Sequence, residues 1–126
     1  MTWFVMGGAL VVALAIIAIG ISYLANPIAM AGGFGLPLPG DGTNVPWWLR
    51  LKGVRDVVSG TLVIAFMIWG SSTNVGIVLA VEAMIPLGDM LLVLAAKGST
   101  GRALGIHGTT AAFMIVIAIL MLTGVR

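Results

Sequence analysis

The 126-residue chain contains no cysteine. That excludes disulfides, thiolate metal centres, iron–sulfur clusters, thiol-linked haem and thiol nucleophiles. Charge is nearly as scarce, at 8% of residues. A soluble domain carries about 25%, because its surface must be solvated. The net charge is only +2, so no nucleic-acid partner is expected. With a single histidine and scattered acids, no metal site is expected either, since metals want several ligands at defined spacing. The Glu-x-x-His pattern of di-iron bundles is missing. No nucleophilic triad, no phosphate-binding loop and no cofactor motif is visible.

What is abundant is apolar sequence: 60% of residues are hydrophobic, and they fall in runs of roughly 20, the length a bilayer core about 30 Å thick requires. The pattern predicts an integral, multi-pass membrane protein. Its expected fold is all-α, a transmembrane four-helix bundle forming one domain over residues 1–126, with helices at about 2–24, 46–70, 74–96 and 102–124. The first segment has no basic leader and is longer than a signal-peptide core of about 7–15 residues, so it reads as a mature helix. Asn26-Pro27 ends it. Asn44 is a candidate cap for the second helix, with Pro46 and Trp47 in its first turn.

The second and third loops are short, so helices 2, 3 and 4 should be antiparallel neighbours. Loop 1, residues 25–45, is long and rich in glycine and proline, and its only charge is Asp41. It reads as an interfacial segment with Trp47 and Trp48 at headgroup level. It is either a connector or a lid over an entry to the bundle. Lys97 and Arg102 at loop 3, and Arg50 and Lys52 beside loop 1, put loops 1 and 3 in the cytoplasm by the positive-inside rule. Arg126 and the amino terminus would lie outside.

The ionisable residues divide in an informative way. Arg50, Lys52 and Arg55 balance Asp56, Glu82 and Asp89, and all six lie in or beside apolar segments. A charge at the bilayer centre costs about 2.5–3.5 kcal/mol on insertion scales, so these groups must pair or be hydrated. Lys52 and Asp56 are four apart, and Arg55 lies between them. Glu82, Pro86 and Asp89 fall on one stripe of helix 3. At about 1.5 Å per residue, Lys52 lies about 9 Å, Asp56 about 15 Å, Asp89 about 11 Å and His107 about 8 Å from the same bundle end. Glu82 lies deeper, at about 22 Å. Pro86 frees the Glu82 carbonyl and kinks helix 3, to shape either a pocket or the packing. His107 is an interfacial side chain or a titratable partner of the acids.

Lys52-Gly53-Val54-Arg55-Asp56, Ile85-Pro86-Leu87-Gly88-Asp89 and His107-Gly108-Thr109 resemble a family of small four-helix integral-membrane proteins known mainly as a domain of unknown function. Asn26-Pro27 and Phe34-Gly35-Leu36-Pro37 fit the same likeness. The resemblance implies the four-span architecture and the same polar residues as the site, but no activity.

Three readings follow. The first is a protein that binds a lipophilic small molecule and isomerises or cyclises it by acid–base chemistry. Asp56, Asp89 and His107 would then be catalytic, and Lys52, Arg55, Glu82, Thr110 and Trp48 would bind substrate. The second is a proton-coupled transporter or channel, which at four helices would have to be a homodimer or larger homo-oligomer. The third is an ion-pair network that fixes helix register without chemistry.

Overall fold

The computed structural model describes residues 2–38, 40, 42 and 44–124. Asp41, in loop 1, and the terminal Arg126 lie outside them. All regular structure among the described residues is helical. Helix α1 is Thr2–Ala25, α2 Pro27–Gly32, α3 Val45–Trp69, α4 Ser72–Glu82, α5 Met84–Ala95, α6 Thr100–Arg102 and α7 Thr109–Leu122, with a π-helical segment, Ala103–Gly108, between α6 and α7. Three stretches are long and apolar enough to cross a membrane: Trp3–Ala25, Ser72–Ala95 and Thr100–Thr123. Helix α3 has comparable length but carries Arg50, Lys52, Arg55 and Asp56.

The helices pack as two pairs. Helix α1 lies along α3, and α4 and α5 lie along α7 and the π segment. The pairs join where α1 meets α7 and α3 meets α4. The seam between α1 and α3 is built on glycine. A methyl group added at Gly53 would sit 2.7 Å from the Gly20 carbonyl oxygen, and one at Gly60 only 2.5 Å from that of Ala13. Small residues allow backbones to approach this closely, the usual way apolar helices associate without water to drive them together. The core continues through Val5, Ala9, Val12, Val63, Leu79, Met114 and Ile117. The outer surface keeps large apolar side chains exposed, among them Leu14, Val58, Val81 and Val116. Such a surface suits lipid and would aggregate in water.

Several local features depart from the sequence reading. Loop 1 is not irregular throughout: Pro27 opens helix α2, where its missing N–H is no loss. Asn44 stands at the cap position of α3, but its side chain caps nothing. Helix 3, expected to be kinked by Pro86, is interrupted at Ala83 into α4 and α5 within one apolar stretch, Ser72–Ala95. The cause is the same proline, which cannot donate to the Glu82 carbonyl one turn back. Helix 4 begins two residues early, at Thr100, with Ser99 Oγ accepting from the Arg102 N–H at 3.3 Å.

The third loop closes tightly. Lys97 adopts a left-handed conformation (φ 55°). The Lys97 N–H then reaches the Leu94 carbonyl and the Gly98 N–H reaches that of Val93, ending α5 in a double cap.

The glycine seam makes a direct prediction. Gly53→Leu or Gly60→Val should lower the melting temperature in detergent sharply, with a cost of about 1–3 kcal/mol or more from overpacking. Gly88→Ala, where an added methyl meets nothing within 4 Å, should be neutral or stabilising by about 0.5–1 kcal/mol. Equal melting temperatures for all three variants would show that the seam does not hold α1 to α3.

Candidate functional site

Between the two helix pairs lies a partly open cavity of about 320 Å³. Its walls are mainly apolar, including Ile16, Ile19, Met30, Ile85, Pro86 and Met114. Polar groups enter from every side: Tyr23 from α1, Lys52, Asp56 and Ser59 from α3, Glu82 from α4, Asp89 from α5, His107 from the π segment and Thr110 from α7.

Lys52, Asp56 and Ser59 follow helical spacing of four and three residues, so one stripe of α3 faces the cavity. Lys52 Nζ lies 2.6 Å from Asp56 Oδ2. The same ammonium stands 4.6 Å from the Tyr23 ring centroid and 5.5 Å from that of Phe34. Both rings turn their electron-rich faces to a cation. Lys52 is thus held by one carboxylate and two aromatic faces.

His107 sits in the π segment. There the backbone ladder slips by one residue, so that the Thr109 N–H reaches the Leu104 carbonyl. The hydroxyls of Thr109 and Thr110 donate to the Gly105 and Ile106 carbonyls at 2.6 and 2.7 Å, supplying bonds the distorted turn needs. His107 is buried, and its Nε2 lies 2.8 Å from the Phe34 carbonyl oxygen. A carbonyl only accepts, so Nε2 carries the proton and donates. That leaves Nδ1 facing Asp89 Oδ2 at 3.8 Å. At that distance the ring and the carboxylate face each other without a direct hydrogen bond.

Glu82 is the deep polar group. It is 8% exposed, it lines the cavity, and its Oε2 is buried with no hydrogen-bond partner. Among the described residues, no group of three or more His, Asp or Glu side chains is disposed to hold a metal ion.

Two expected binding residues lie elsewhere. Arg55 is exposed and does not line the cavity. At about 100° per residue it stands about 160° around α3 from Gly53, on the side away from α1 and at the outer edge of the stripe of Lys52, Asp56 and Ser59. Trp48 is 70% exposed and borders a separate outer groove with Leu24, Trp47, Arg50 and Leu51. Its position in the first turn of α3 puts it beyond the cavity mouth. Conversely, Tyr23, Phe34 and Ser59 line the cavity without having been singled out as site residues. Tyr23 carried a signal, as the one tyrosine of the chain, placed near the loop-1 end of α1. Phe34 carried none beyond its motif, since nothing local ties it to a histidine 73 positions away.

The strap from α2 to Leu36 brings Phe34 there. Arg102 Nη1 donates to the Gly32 carbonyl at 2.8 Å, His107 donates to that of Phe34, and the Ser99 N–H donates to that of Gly35 at 2.8 Å. Gly35 has φ 111°, a conformation that glycine alone adopts readily. Phe34 then packs on the His107 ring with centroids 4.4 Å apart. Loop 1 is thereby fastened across the end of the helices at loop 3.

A family model described as "Domain of unknown function (DUF4267)" matches residues 13–121. The chain belongs to this family. The matched stretch of the DUF4267 chain contains every residue that lines the cavity, from Ile16 to Met114. No curated protein and no solved structure matches it.

The strap is testable apart from any activity. Arg102→Ala removes one of its three fastenings, a bond near the surface worth about 0.5–1.5 kcal/mol. Amide hydrogen exchange over residues 31–36 should rise roughly two- to tenfold, with the middle of α1 unchanged. Unaltered exchange in the strap would show that Arg102 does not hold it.

Proposed function

We propose that this protein is an integral membrane four-helix bundle whose cavity binds a lipophilic small molecule and acts on it by proton transfer. The observation that carries this reading is the composition of the cavity, with apolar walls and a few convergent polar groups, the usual make-up of a small-molecule site. Helix α3 serves as the fourth span. From Trp47 to Trp69 it rises about 33 Å, close to the thickness of a hydrocarbon core. Trp3 and Trp69 stand exposed at one end of the α1–α3 pair, and Trp47 and Trp48 at the other, as interfacial aromatic belts do. Loops 1 and 3 face the cytoplasm.

Within the cavity, His107 and Asp89 are the acid–base pair, with Nδ1 as the working nitrogen. Asp56 holds the Lys52 ammonium, which orients a polar group on the ligand. Isomerisation or cyclisation of a terpenoid-, sterol- or polyketide-like compound suits such a site, because it needs proton transfer in a dry cavity and no cofactor. Access runs beneath the strap.

Glu82 favours a second reading, a proton-coupled carrier working as a homodimer. Intramembrane acids mark proton paths, and Glu82 extends the line of acids inward from Asp89.

The first test is mass spectrometry of solvent extracts from protein purified in mild detergent. A co-purifying lipophilic compound is expected. It should be lost from the double variant Lys52→Met/Asp56→Leu, which removes the ion pair without stranding either charge. Lys52→Met alone should lower the melting temperature more than the double variant, by an amount equivalent to about 1 kcal/mol or more, because it leaves Asp56 unpaired. No retained compound, together with proton flux in liposomes that Glu82→Gln abolishes, would replace binding and catalysis with transport.

A further inference from the structure

We infer that the cavity selects a lipophilic amine, bound as its ammonium ion by Glu82 at the deep end. This rests on the small-molecule reading above and names the class of molecule. The starting point is a mismatch of charge. Among the described residues that line the cavity, Lys52 is the one fixed cation, against the carboxyls of Asp56, Glu82 and Asp89. His107, when protonated, adds one more positive charge opposite Asp89. Tyr23, from α1, and Ser59 and Thr110 bring no charge, and Arg55 does not line the cavity. With all three carboxyls ionised the cavity is short of positive charge by one or two units.

Lys52 does not make up the deficit. It is committed to Asp56 at 2.6 Å and flanked by the Tyr23 and Phe34 rings. What remains is Glu82, buried, facing the cavity, with one oxygen unpartnered. A carboxylate in apolar surroundings is neutralised by a proton or paired with a cation. In the empty cavity a proton serves. When an ammonium ion enters, its N–H donates to Glu82, the carboxyl ionises, and its proton leaves to solvent. Bond formation and proton release then balance, and no other reactant is involved. The hydrocarbon part of the amine fills the space between Ile16, Ile19, Ile85 and Met114. A fatty acid or other anion would deepen the deficit and is excluded. A neutral alcohol would gain only the weaker hydrogen bond.

Three probes on one rigid hydrocarbon cage separate these cases: adamantylamine, adamantanol and adamantane carboxylate. Their binding is measured by equilibrium dialysis against the protein in nanodiscs of zwitterionic lipid, with empty nanodiscs as blank. The amine should bind roughly ten- to hundredfold more tightly than the alcohol, the advantage of a charge-assisted hydrogen bond. The carboxylate should not bind. Amine binding should release protons into a weakly buffered solution, and alcohol binding should not. In Glu82→Gln the preference for amine should vanish while alcohol affinity stays, which also reports an intact cavity. Asp89→Asn should reduce the preference without abolishing it.

Equal binding of amine and alcohol by the wild-type protein would overturn the inference, as would a preference that survives in Glu82→Gln with alcohol binding intact. Should Glu82→Gln fail to fold, the wild-type ratio and proton release decide alone. Binding of alcohol over amine, or a neutral co-purified compound that neither probe displaces, would defeat amine selection and leave the small-molecule reading standing. Failure of all three probes, with nothing co-purified, would defeat both.

Discussion

The close approach of α1 and α3 sets the geometry of everything else. With Gly20, Gly53 and Gly60 in the seam, α3 can take only one rotation about its axis. Gly53 must face α1, and helical spacing then decides where each neighbour points. Lys52 and Asp56 turn to the cavity, and Arg55 turns out. Tyr23 follows from the same contact, because its Cβ lies against Gly53. A larger side chain in the seam would push the helices apart and also carry the Lys52 ammonium away from the Tyr23 ring. Packing and electrostatics are thus one constraint in this half of the molecule.

The opposite half solves a different problem. An apolar helix holds its backbone bonds internally, since lipid offers no replacement. Irregular backbone is tolerated where it lines a cavity or is buried in protein. Both irregular places in the second helix pair meet that condition. The break at Ala83 follows Glu82 and precedes Pro86, and the π segment carries His107, all three of them cavity residues. Thr109 and Thr110 supply hydroxyls to the carbonyls the π segment displaces. In this pair the distortions and the polar side chains therefore occupy the same place.

Much of this was open to inference from residues alone. Apolar run lengths located the ends of the four long helical stretches to within a few positions but not α2 or the break at Ala83, and helical rise put Asp56, Asp89 and His107 at similar expected depths from one end. Local spacing could also have rejected Arg55, had Gly53 been recognised as the residue facing α1. Other features had no local signal. The bond between His107 and Phe34 joins residues far apart in sequence and is made by a backbone carbonyl, which no side-chain motif announces. The π segment follows from tertiary packing, not from propensity. The depth estimate put Glu82 in a separate, deeper layer. The cavity extends far enough to include it, because α4 ends at Glu82 itself.

The way the strap is fastened has a consequence for how such a protein can diversify. Its three attachments all end on main-chain oxygens, those of Gly32, Phe34 and Gly35. Such a latch is indifferent to what the side chains are, except at Gly35, whose conformation demands glycine. Met30, which reaches the cavity from this segment, can therefore be exchanged for other residues with these bonds intact, whereas the Phe34 ring is also tied to His107 and Lys52. This part of the cavity wall can vary while the bonds that fasten the segment stay the same.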